Sequence, residues 1–86
     1  MTKQEALTLI FSELATAEIK HPGWPDDVVH GAAIVGEEAG ELLQAALNYK
    51  YQRSKNVDSM RLEAAQTAAM GIRFLVYLAG ETDGED

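Results

Sequence analysis

Apolar residues recur along this chain at helical rather than alternating spacing. Leu7, Ile10, Phe11, Leu14 and Ala17 fall on one stripe, which predicts a first helix over residues 3–20. Thr2 followed three residues later by Glu5 is a capping-box pattern. Glu13 and Lys20 lie off the stripe. The run His21, Pro22, Gly23, Trp24, Pro25 ends this helix, because proline cannot continue it and glycine frees the backbone.

A second helix is expected over residues 27–49, with Asp26 or Asp27 as its cap. Val28, Val35, Ala39, Leu42 and Ala46 form one apolar strip. Val29, Ala32, Gly36, Leu43 and Leu47 form another beside it. Two adjoining strips predict a central helix with neighbours on two sides. Gly36 and Gly40 each cost about 1 kcal/mol of helix propensity relative to Ala, and are expected to admit another helix closely. A polar linker follows over residues 50–58. The third helix is expected over residues 59–79, capped by Asp58 or Ser59 and stopped by Gly80. Its main apolar face is Ala65, Ala68, Ile72, Leu75, Val76 and Ala79. The fold class is therefore all-α: one domain over residues 1–80 and an acidic tail over 81–86 expected to be disordered.

Composition narrows the function. The 86 residues hold 14 acidic and 7 basic side chains, a formal net charge of −7, which argues against binding a nucleic-acid backbone. Cysteine is absent, which excludes disulfides and thiolate zinc sites. No apolar run approaches a bilayer span, and the polar start Met1 to Glu5 is unlike a signal peptide, so a cytoplasmic protein without a membrane partner is expected. A chain this short builds a marginal core, and its apolar helix faces exceed what three helices can cover. A homodimer or homotetramer completing four-helix-type packing is therefore expected.

The chemistry lies on a third face of the second helix, where His30, Ile34, Glu38, Glu41, Ala45 and Asn48 align. Glu38 and Glu41, at i and i+3, present adjacent carboxylates that repel each other beside an apolar strip. A hard cation such as Mg²⁺ would relieve that repulsion. The third helix carries a matching sector with Ser59, Glu63, Gln66, Met70, Arg73 and Tyr77. If the two helices pack antiparallel, Glu38, Glu41 and Glu63 converge, with Gln66 adding a neutral oxygen. Arg73 would then meet a phosphate or pair with a carboxylate. An isolated E-x-x-E is more often a solvated face, and it is the repetition on successive helices that favours a site.

The segment Gly36-Glu37-Glu38-Ala39-Gly40-Glu41-Leu42 resembles the E-E-x-G-E-L signature of the MazG-like all-α nucleoside triphosphate pyrophosphohydrolases. That family pairs an E-x-x-E on one helix with an E-x-x-D on the next. The resemblance extends over about residues 7–78. It implies Mg²⁺- or Mn²⁺-dependent cleavage of (d)NTPs to the monophosphate and pyrophosphate, with Glu38, Glu41 and Glu63 as catalytic metal ligands. It also implies a homo-oligomer. Gln66 stands where the family has Asp, so the set carries three formal charges instead of four. The alternative is a non-catalytic helical module that binds a nucleotide or a protein and has lost that carboxylate.

Trp24 has two readings, an anchor pinning its loop or a platform for a nucleobase. His30 reads as a capping or interfacial residue, although it shares the Glu38 sector and is a candidate substrate contact alongside Trp24 and Arg73. Glu18-x-x-His21 is half of a di-iron pattern that requires two such motifs, so it is rejected.

Overall fold

The computed structural model describes residues 1–52 and 55–78. Three helices account for nearly all of them: α1 (Lys3–Lys20), α2 (Val28–Tyr51) and α3 (Val57–Tyr77). Among the described residues no helix is long and apolar enough to cross a membrane. The expected positions of Gly80 and the acidic tail lie outside the described residues.

The helix starts follow from side-chain caps. Thr2 and Glu5 form the reciprocal capping box, with Glu5 N–H donating to Thr2 Oγ1 and Thr2 N–H to Glu5 Oε1. Asp27 Oδ1 accepts from Val29 N–H at the start of α2. At α3 the cap is Asn56, not Asp58 or Ser59: its Oδ1 accepts from Ser59 N–H at 3.0 Å. Asp58 instead sits in the first turn, where its charge suits the helix dipole, and pairs with Arg61. The helices thus take two residues from each end of the expected linker.

The three helices form an elongated body of 48 × 25 × 25 Å. α3 packs against both α1 and α2, so the central helix is α3 rather than α2. It runs antiparallel to α2, bringing Glu63 beside Glu38 and Glu41 near one end and Phe74 beside Gly31 near the other. It runs parallel to α1, with Gln66 meeting Glu13 and Arg73 meeting His21.

The inward faces differ from those expected. On α1 the half-buried residues are Ala6, Leu9, Ile10, Glu13, Leu14 and Ala17, while Leu7 and Phe11 are 47% and 57% exposed. The contact face is thus rotated toward Glu13, which lies about 40° from Ala17 at 100° per residue. On α3 the buried residues are Ala65, Ala69, Met70 and Arg73, while Leu75 and Val76 face out. The polar sector of α3 points inward because it must contact both neighbours, and small alanines on its flank let them approach.

The close approach expected at Gly36 and Gly40 is absent among the described residues, where added Cβ atoms meet nothing within 4 Å. It occurs at Gly31. A Cβ there would lie 2.9 Å from Trp24 Nε1 and 3.3 Å from Phe74 Cδ1. Gly31→Ala gains about 1 kcal/mol of helix propensity but incurs about 1–3 kcal/mol of overpacking against two rings. A net loss near 1 kcal/mol in urea denaturation is the expected result. A stabilised variant would mean that Trp24 yields freely.

Candidate metal centre

The E-x-x-E spacing and the antiparallel pairing of α2 with α3 build a three-carboxylate cluster. Oxygens of Glu38, Glu41 and Glu63 all lie within 4.8 Å of one another. Two oxygens trans on Mg²⁺ are about 4.1 Å apart, so closing on one ion needs less than about 1 Å of movement. Glu41 is exposed, whereas Glu38 and Glu63 are half-buried. Glu38 Oε2 and Glu63 Oε2 are buried and find no hydrogen-bond partner among the described residues. Among the described residues, no Lys or Arg forms a salt bridge with any of the three.

Electrostatics register this crowding. Burial, then the charges of Glu41 and Glu63, push the Glu38 carboxyl above its ordinary value of 4.5. Burial, then the Glu41 charge, raises Glu63 above the same value. A raised carboxyl pKa in the folded state means that the folded chain holds these protons longer than the unfolded chain does. Stability from this source is therefore present below about pH 4.5 and is lost as pH rises through the raised values. In EDTA, raising the pH from about 4.5 to 7 should lower the melting temperature of the wild type more than that of a Glu38→Gln/Glu63→Gln variant. Identical slopes would show that the cluster is already relieved.

Two clefts flank the cluster. One, of about 270 Å³, lies between Glu41, Asn48, Ser59 and Glu63. The other, of about 200 Å³, lies among all three helices and includes Glu13, Lys20, His21, Glu38, Gln66 and Arg73. Gln66 faces this second cleft, its Nε2 donating to Glu13 Oε1 at 3.2 Å. The sequence reading passed over Glu13. The available signal was an acidic residue bordering the apolar arc of Ile10, Leu14 and Ala17.

Arg73 is 3% exposed. Its Nη2 donates to the carbonyls of His21 and Gly23, the latter at 2.9 Å, and its guanidinium lies 5.1 Å from the Trp24 ring centre. It thereby fixes the α1–α2 connection, and it forms no ion pair with the carboxylates. Trp24 stacks on Tyr77 with ring centres 6.1 Å apart and packs on Gly31. Its ring lines a separate cavity of about 310 Å³ with Phe74, Tyr77 and Leu78. Trp24 thus holds its loop against α2 and α3 while one part of its ring borders a cavity. His30 is exposed two turns before Glu38, about 12 Å along the axis, and lines neither cleft beside the cluster.

No family model matches the chain, and no curated protein or solved structure is significantly similar to it.

Proposed function

We propose that the chain is a subunit of a Mg²⁺-dependent nucleoside triphosphate pyrophosphohydrolase of the MazG-like type, converting (d)NTPs to (d)NMPs and pyrophosphate. The observation that carries this reading is the convergence of Glu38, Glu41 and Glu63 with two buried, unpartnered carboxylate oxygens. Acceptor-only groups crowded without a cation are an arrangement that a hard divalent ion completes. Glu38, Glu41 and Glu63 would hold the ion, with the Gln66 carbonyl oxygen as an auxiliary ligand. Mg²⁺ held there would supply charge neutralisation for the phosphates and help activate the attacking water. One of the three carboxylates accepts a proton from the attacking water. Lys20, which lines the cleft that contains Glu38, would steady the leaving pyrophosphate.

The second reading, a non-catalytic binding module, draws on two observations. Gln66 leaves the set one charge short, and Arg73 is engaged by loop carbonyls. Pyrophosphate release from a panel of canonical and modified NTPs, with Mg²⁺ or Mn²⁺, separates the readings. Metal-dependent release supports the enzyme. Metal binding without release supports the module.

The homo-oligomer is part of the same proposal. Val29 and Leu43 on α2 are 71% and 60% exposed, and Leu75 on α3 is 68% exposed. The outward strip of α2 also carries Gly36, where nothing blocks a close approach. A second copy packing on this strip would bury it and complete a four-helix arrangement.

A further inference from the structure

We propose that Glu13 of α1 is a positioning residue for the metal centre, acting through Gln66; this rests on the cation-binding reading above. A carboxylate only accepts hydrogen bonds, so the Gln66 side chain must turn its NH₂ group toward Glu13, as the 3.2 Å contact records. The Gln66 carbonyl oxygen is thereby directed away from Glu13 and left available to a cation. Gln66 stands one turn after Glu63 on the same sector of α3 and shares its cleft with Glu38. Independently of the acidic residues, the same cleft contains Arg73, 3% exposed, with a buried Nε that lacks an acceptor. That unused donor points to a ligand entering this cleft. Glu13 also accounts for an amide at position 66. A carboxylate there would face Glu13 directly and lose the hydrogen bond. Through this hydrogen bond α1 becomes part of a site otherwise formed by α2 and α3.

The test is Mn²⁺ calorimetry on the full chain. Glu13→Ala and Gln66→Ala are each expected to weaken binding about tenfold, as removal of an outer-shell partner does, and the double variant no further. Glu13→Gln can donate as well as accept, so it no longer obliges the Gln66 NH₂ group to turn toward it, and it should weaken binding by about threefold, less than Glu13→Ala. In NMR, the Gln66 side-chain amide resonance should move on Mg²⁺ addition in the wild type. Wild-type affinity in Glu13→Ala or in Glu13→Gln, or a further loss in the double variant, overturns the proposal. An unmoved Gln66 resonance in metal-bound wild type overturns it too, even if Glu13→Ala does not fold. A wild type that takes up no Mn²⁺ fails at the earlier step, the cation-binding reading itself, and the proposal falls with it.

Discussion

Millimolar Mg²⁺ is expected to raise the melting temperature of the wild type by about 10 °C or more, and Glu41→Gln to abolish the gain. A ligand present at 100 times its Kd stabilises the folded state by about 2.7 kcal/mol. For a domain of this size, 1 kcal/mol corresponds to about 4–8 °C. Glu41 is the decisive position because its charge acts on both Glu38 and Glu63. The same substitution removes like-charge repulsion, so metal-free Glu41→Gln should melt higher than metal-free wild type. Opposite signs with and without metal distinguish a site from a solvated acidic face. A Mg²⁺ gain preserved in Glu41→Gln would place the cation elsewhere. Pyrophosphate release, where the wild type shows it, should fall to background in this variant.

Light scattering at micromolar concentration should return at least twice the 9.4 kDa chain mass, and Leu43→Asp should dissociate the assembly. Among the described residues of one chain the buried apolar side chains are Ala65, Ala69 and Met70, a small core. Leu43 is 60% exposed there, and an exposed substitution is typically worth within about 0.5 kcal/mol. If a second copy covers Leu43, the aspartate is buried without a partner, and the melting temperature should drop by about 10 °C or more. A monomeric wild type, or a Leu43→Asp variant with unchanged mass and melting, would exclude this strip as the interface.

Local signals accounted for the helices and for much of the cluster. The Thr2–Glu5 capping box, the Asp27 cap and the Pro22–Pro25 break are short-range features, settled by hydrogen bonds and backbone sterics within a few residues. Glu38 and Glu41 share a sector because helical geometry alone puts i and i+3 side by side. Their meeting with Glu63 needed only the antiparallel pairing that a short connection imposes. The Asn56 cap was missed because several residues around it could serve and the boundary is decided by one side-chain hydrogen bond.

What the sequence determined by itself, then, was the all-α class, the approximate helices and the carboxylate sectors, since each depends on periodicity within a single element. Tertiary structure decided which sectors turn inward. The pattern of apolar residues defines angles within a helix, but it does not identify the neighbour, and alanine-rich faces discriminate weakly between rotations. Packing α3 between α1 and α2 therefore buried Arg73 and left Leu75 exposed, against the hydrophobic pattern. It also joined Glu13 to Gln66 across 53 residues of sequence and Trp24 to Gly31 across a loop. Such contacts arise only when separate helices dock, because the hydrogen-bonding and steric demands of each group are met by residues that its own helix does not contain.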